Sequence, residues 1–232
     1  MGDNTLVLGQ RLSEWCGHAP ALEEDIAMAN TALDLIGQTQ LWLGLAAERE
    51  GQGHSADDLA YHRDAWDFRN LLLVEQPNRD FGVTMMRQFL FDCWHLEALK
   101  ALTAHADAEI SAIAQKSVKE VTYHRERSTD TVIALGDGTE QSHKKMQAAL
   151  DRLWPYVGEM FTADDDDLMD VAALRPGFDA HVMASLTEAT LTRPDSDFAH
   201  QGGKTGARHS EHLGHMLATM QSLPRSYPDA KW

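Results

Sequence analysis

Asp92 and His95 are the first residues in this sequence whose type and spacing could support chemistry. Asp92 interrupts a helical stripe of apolar residues between Phe89 and Leu96. His95 follows it by three residues, and side chains at that spacing lie on the same surface of a helix. Because a buried ionisable group is costly unless it is paired or bound to a metal, both residues need a partner in the core.

A second polar group lies in the helix predicted to follow. Glu120 and His124 are four residues apart, and His124 continues the face that bears Ser117 and Val121. Carboxylates and imidazoles that project inward from paired helices bind two irons in ferritin-like bundles, where two helices each supply Glu-x-x-His. Neither of the two helices predicted here carries Glu-x-x-His.

These residues leave two interpretations open. We expect Asp92 and His124 to hydrogen-bond to each other or to neighbouring helices, as buried polar groups normally do. The alternative is a metal-binding, ferritin-like oxygenase that uses a degenerate Asp/His site, with Asp92, His95, Glu120 and His124 as its ligands.

Three other clusters resemble binding sites, and the sequence favours a simpler interpretation of each. His209, His212 and His215 are spaced by three in a helix predicted over about 207–223, which spreads them around the helix by about 60° per step. They therefore converge poorly on one ion. The acidic run 164–167 is typical of a solvated turn. Residues 202–205 lack the earlier glycine and the preceding strand of a phosphate-binding loop, so a flexible connection is expected.

The elements that would position these residues are helices. The clearest runs from Pro20 to about Glu50, after a short opening helix. Helical spacing predicts further helices over about 81–105, 108–135, 140–161, 178–191 and 207–223. The pattern is typical of an all-α helical bundle, with a single domain over residues 1–232 that includes a C-terminal helical extension.

Composition excludes several classes of protein. Of 232 residues, 43% are apolar and 24% are charged, which is typical of a globular chain. The formal net charge is −16 without a basic block, so nucleic acid is not an expected partner. No apolar stretch reaches the length of about 18 residues that a membrane helix needs. Cys16 and Cys93 form no disulfide framework, which fits the reducing cytoplasm.

Several motifs make the chain resemble a known family over nearly its whole length. They are Gln10-Arg11-Leu12, Glu14-Trp15-Cys16-Gly17-His18-Ala19-Pro20, Asn70-Leu71-Leu72-Leu73-Val74-Glu75-Gln76-Pro77-Asn78, Gly202-Gly203-Lys204, Glu211-His212-Leu213-Gly214 and the final Trp232. On these residues the sequence is similar to the C subunits of bacterial ring-epoxidising phenylacetyl-CoA epoxidases. The resemblance implies a ferritin-like bundle.

The resemblance also implies a structural subunit that is not an enzyme by itself. It implies a hetero-oligomer with the catalytic A subunit, which carries the di-iron centre and epoxidises the aromatic ring, and with the other epoxidase components of aerobic phenylacetate degradation. No cofactor is expected in this chain. A homodimer is the alternative when the chain is alone, and an acyl-CoA groove shared with the partner and touched by Lys204 is a further alternative.

Five positions are implied to be remnants of a di-iron site. One Glu-x-x-His of the catalytic subunit looks like Leu35-x-x-Gln38 in this chain, and the other is similar in position to Val121-x-x-His124. Asp92 looks like the position of the carboxylate on the third helix. Because leucine and valine replace two carboxylates, the resemblance implies an apolar core that binds no metal.

Overall fold

The structure, a computed structural model, describes residues 1–196 and 198–228. The motif residue Trp232 lies outside the described residues. Within them the chain forms ten α-helices and four short 3-10 helices and contains no β-strand, which confirms the all-α prediction. The α-helices are α1 (Gly2–Ser13), α2 (Leu22–Glu50), α3 (Ala56–Tyr61), α4 (Leu72–Glu75), α5 (Phe81–Leu102), α6 (Ala108–Gly136), α7 (Glu140–Leu153), α8 (Arg175–Glu188), α9 (Glu211–Met220) and α10 (Ser222–Ser226).

Local capping explains where several helices begin and end. The Asp80 side chain accepts a hydrogen bond from the first turn of α5, and Asp107 does the same for α6. Thr139 opens α7 with a capping box. At the other end of a helix, Gly51 stops α2 in the left-handed conformation, with a φ of 68° that favours glycine. These short-range signals are readable in the sequence.

Several of the predicted helices differ in extent from the structure. The helix predicted over about 178–191 begins at Arg175 and ends at Glu188, and the one predicted over about 81–105 ends at Leu102. The helix predicted over about 140–161 is wrong in its last third, because α7 ends at Leu153 and two 3-10 helices follow, Trp154–Tyr156 and Gly158–Phe161. Pro155 has no backbone N–H to continue an α-helix. The helix predicted to begin near residue 207 begins at Glu211.

Contacts divide the chain into two compact units, and each is described by itself. The first comprises Met1–Pro77 and Gly202–Trp232, and the second comprises Asn78–Gln201. In the first unit, α2 packs against α1 and α3. In the second, α5 packs against α6, α7 and α8, and its residues 82–96 are all buried. The single domain predicted over residues 1–232 stays a prediction.

None of the helices in the described part of the chain is both long and apolar enough to cross a membrane.

Candidate functional site

The α5–α6 pair in the second unit carries three of the five predicted site residues, namely Asp92, Val121 and His124. Asp92 of α5 bonds to Ser128 of α6, and Glu97 of α5 lies 3.4 Å from Nη1 of Arg125 of α6. As residue numbers rise along α5, those of their partners fall along α6. The two helices are therefore antiparallel.

Asp92 is fully buried, and both of its carboxylate oxygens accept a hydrogen bond. Gln88 Nε2 donates to Oδ1 at 2.7 Å, and Ser128 Oγ donates to Oδ2 at 2.9 Å. Burial raises the pKa of Asp92 to about 6, while His124 and the two hydrogen bonds oppose that rise. Asp92 is thus a buried acceptor satisfied from its own helix and from α6.

His95 lies on α5 as Asp92 does, but its hydrogen bonding differs from that of Asp92. It is fully buried, and among the described residues neither of its ring nitrogens has a hydrogen-bond partner. Its ring centroid lies 4.9 Å from that of Phe91, and the ring stacks on Trp94 at 6.4 Å. Burial, with a contribution from His124, lowers the pKa of His95 to about 3, so the imidazole is neutral near pH 7.

The apolar and amide positions of the predicted site are also buried. Val121 is fully buried on α6, beside His124, which is 2% exposed. Leu35 and Gln38 lie on α2 in the first unit, where their exposed fractions are 0% and 2%. Leu35 helps to pack α2 against α1, since a Cβ added to Gly9 would lie 3.4 Å from Leu35 Cβ.

Among the described residues, no group of three or more His, Cys, Asp or Glu side chains is placed to hold a metal ion. A ferritin-like di-iron site needs carboxylates and histidines that converge from facing helices. Leu35 and Val121 have no atom that could bind iron.

One Glu-x-x-His does occur in the chain, at Glu140 and His143 in the first turn of α7, outside the two helices considered for the site. The Glu140 side chain is 83% exposed, and its Oε1 lies 2.5 Å from Nζ of Lys144. His143 Nδ1 lies 2.8 Å from the backbone oxygen of Gly136. This pair belongs to an exposed helix start and not to a buried ligand set.

Glu75, at the end of α4 in the first unit, is the central polar residue that the sequence reasoning missed. It is fully buried. Asn70 Nδ2 donates to Oε1 at 2.9 Å, and His209 Nδ1 lies 2.6 Å from the same oxygen. Ser210 donates to Oε2 through its backbone N at 2.7 Å and through its Oγ at 2.6 Å. An acidic residue directly after the apolar run 71–74 was the available signal.

Arg11 of α1 joins the same cluster. Its Nη2 donates to the backbone oxygens of Glu75 at 2.8 Å and of His212 at 3.0 Å, and its Nη1 lies 3.0 Å from Oε1 of Glu14. The motifs at residues 10–12, 70–78 and 211–214, which carry the family resemblance, are therefore joined through the guanidinium group of Arg11.

The remaining sequence candidates have structural roles. His209 lies before α9, outside the helix predicted to contain it, and its partner is Glu75. The connection predicted to be flexible is packed at Gly203, where an added Cβ would lie 2.4 Å from the backbone oxygen of Asn70. The acidic run forms a turn as predicted, because Asp167 Oδ2 accepts from Asp164 N at 2.9 Å.

Comparison with known proteins gives two findings. The family model described as "Phenylacetic acid catabolic protein" matches residues 1–232. The chain is 46% identical over 240 residues to the C subunit of the 1,2-phenylacetyl-CoA epoxidase of Escherichia coli (strain K12), and the match covers 100% of this chain and 96% of that protein. These findings confirm the family membership that the sequence motifs indicated. They also confirm the ferritin-like fold class.

Proposed function

We propose, from the premise that the chain belongs to the phenylacetic acid catabolic protein family, that it is the non-catalytic structural subunit of a phenylacetyl-CoA epoxidase. In this proposal it pairs with the catalytic A subunit, stabilises it, and acts with the other epoxidase components in aerobic phenylacetate degradation. The di-iron cofactor belongs to the partner. The complex acts in the cytoplasm, which fits the two free cysteines, Cys16 and Cys93.

One observation carries the membership of an epoxidase. This is the 46% identity to the C subunit of an epoxidase along the full length of the chain. Identity at that level over whole chains supports a shared fold and shared partners more strongly than any single motif does.

The non-catalytic part of the proposal has separate support in the core. Leu35 and Val121 occupy positions that the resemblance relates to iron-binding glutamates, and both are fully buried apolar side chains. The two oxygens of Asp92 are engaged by Gln88 and Ser128. A core arranged in this way is stabilised by packing and hydrogen bonds without a metal.

A metal-binding oxygenase is the second candidate, and one observation favours it. His95 is fully buried and has no hydrogen-bond partner for either ring nitrogen among the described residues, which is a typical state of a histidine whose ligand is missing. Against it stands the lack of a group of three or more ligating side chains among those residues.

Iron content separates the two candidates. The chain is produced with iron supplied, once alone and once together with the catalytic A subunit, and iron per chain is measured by elemental analysis. We expect almost no iron in the isolated chain and about two irons per heterodimer. An Asp92→Ala variant is the matched control, and it should leave the iron content of the heterodimer unchanged.

Other outcomes would contradict the proposal in different ways. One or two irons on the isolated chain, lost in Asp92→Ala, would make this chain a metalloprotein. If the two chains do not co-purify, the proposed structural role is wrong.

A further inference from the structure

The outer face of α2 exposes large apolar side chains. Leu22 is 71% exposed, Ile26 is 53% exposed and Leu33 is 66% exposed. Their spacings of four and seven residues place them on one stripe of the helix. An ordinary amphipathic helix carries polar residues on its solvent side, so this stripe needs an explanation other than packing within the chain.

Two glycines continue the same stripe, Gly37 and Gly44. A Cβ added at either position would meet no atom within 4 Å, so nothing inside the described chain requires glycine there. Glycine in a helix interior is destabilising by about 1 kcal/mol relative to alanine. Glycine does allow the backbone of a second helix to approach closely. From Leu22 to Gly44 the stripe is about 33 Å long, at 1.5 Å per residue.

The charge along α2 is strongly acidic. The helix has one basic residue, Arg49, and six acidic residues, which are Glu23, Glu24, Asp25, Asp34, Glu48 and Glu50. On a helical projection Glu23, Asp34 and Glu48 fall on one flank of the apolar stripe. A second copy of this chain, with its formal charge of −16, would bring like charges together at that flank.

We propose that this stripe of α2 is the docking surface for an amphipathic helix of the catalytic subunit, one that presents an apolar stripe with Lys and Arg on its flank. The identity of the partner rests on the proposed function. The three exposed side chains form the apolar part of the contact, Gly37 and Gly44 let the two helices approach closely, and the acidic flank pairs with the basic residues of the partner.

The test compares two substitutions on α2 in the full-length chain. Gly37→Leu places a bulky side chain on the stripe, and Ala46→Leu places the same side chain at an exposed position away from it. The dissociation constant for the purified catalytic subunit is measured for each. We expect Gly37→Leu to weaken binding about tenfold or more and Ala46→Leu to change it less than about twofold.

Folding of the variants is checked separately by thermal unfolding of the free chain. Because leucine is a better helix former than glycine, Gly37→Leu should unfold at the same or a higher temperature than the natural chain. A lower affinity together with unchanged or raised stability therefore identifies the surface and not the fold.

A charge variant tests the nature of the partner. Glu23→Lys combined with Glu48→Lys should weaken binding at low salt and reduce its dependence on salt concentration. Stronger binding of this variant would mean that the partner surface is acidic and would overturn the inference.

The remaining outcomes are distinguishable. If Gly37→Leu binds the catalytic subunit as the natural chain does, the docking surface is wrong while the proposed function stands. If the natural chain forms a homodimer that Gly37→Leu disrupts, the occupant is a second copy and the inference is wrong. If the natural chain does not bind the catalytic subunit, the proposed function and this inference both fail.

Discussion

Nδ1 of His209 lies 2.6 Å from Oε1 of Glu75, although 134 residues separate the two along the chain. Ser210, the next residue, donates twice to the other carboxylate oxygen. The segment before α9 is thereby tied to α4 within the first unit. A buried carboxylate stabilises such a connection only while its donors are all in place.

Replacing the carboxylate should destabilise the first unit. We expect Glu75→Ala to lower the free energy of unfolding by about 3 kcal/mol, because it leaves the buried donor of Asn70 and the half-buried donors of Ser210 without their acceptor. Urea denaturation of the purified chain measures the change. The control is Glu126→Ala at an exposed position of α6, which should change the value by less than about 0.5 kcal/mol. A loss below about 1 kcal/mol for Glu75→Ala, roughly that of an ordinary hydrogen bond, would contradict the prediction.

A pair of glycine substitutions should have opposite effects. Gly203→Ala forces a Cβ to within 2.4 Å of the backbone oxygen of Asn70 and 2.9 Å of the backbone N of Leu72, so it should lower the free energy of unfolding by about 2 kcal/mol. Gly37→Ala meets open space in a helix and should raise it by about 0.5–1 kcal/mol. Thermal unfolding of both variants checks the signs, and equal effects would show that the packing at Gly203 is not as described.

The buried carboxylate of Asp92 should make stability depend on pH. Its pKa is raised from 3.8 to about 6 by burial, so between these values the folded chain binds more protons than the unfolded chain. The contribution of Asp92 to the free energy of unfolding therefore falls as pH rises through this window and is constant above it.

Asp92→Asn isolates this contribution, because asparagine does not titrate. Relative to the variant, the natural chain should lose about 2 kcal/mol of stability between about pH 4.5 and pH 7.5. Urea titrations of both proteins at several pH values measure the difference. A difference that is independent of pH would mean that Asp92 titrates in the folded chain as it does in the unfolded one.

The buried imidazole of His95 should be a source of instability. Because leucine removes two buried nitrogens that have no partner among the described residues, His95→Leu should raise the free energy of unfolding near pH 7 by about 1 kcal/mol. The gain should increase as pH falls from about 6.5 towards 5. In that range the unfolded natural chain gains a proton that the folded chain, with a pKa of about 3, does not bind.

Urea denaturation at about pH 7.5 and about pH 5 measures both parts of this prediction. His54→Leu, at an exposed histidine, is the control for loss of an imidazole. If His95→Leu instead destabilises the chain by about 2 kcal/mol or more, its imidazole has an important partner such as water or a metal.

Local information in the sequence was sufficient for much of this protein. Helical spacing depends on neighbours a few residues away, and each helix that it predicts is present over most of its predicted length. The buried positions of Asp92 and His124 were readable for the same reason, since both interrupt apolar stripes. The motifs were sufficient to identify the family, because a match of residue types along the chain does not require knowledge of which residues are in contact.

The tertiary structure decided which distant residues meet. The sequence marks Glu75 only as an acidic residue after an apolar run, because its partners, His209 and Ser210, are 134 and 135 residues away and lie in a segment that was predicted to be helical. In the sequence, Gly203 resembled part of an anion-binding loop. The structure gives another reason for a glycine there, since an added Cβ would lie 2.4 Å from the backbone oxygen of Asn70. Periodicity predicts which face of an element is buried, whereas partners across the chain follow only from how the elements pack.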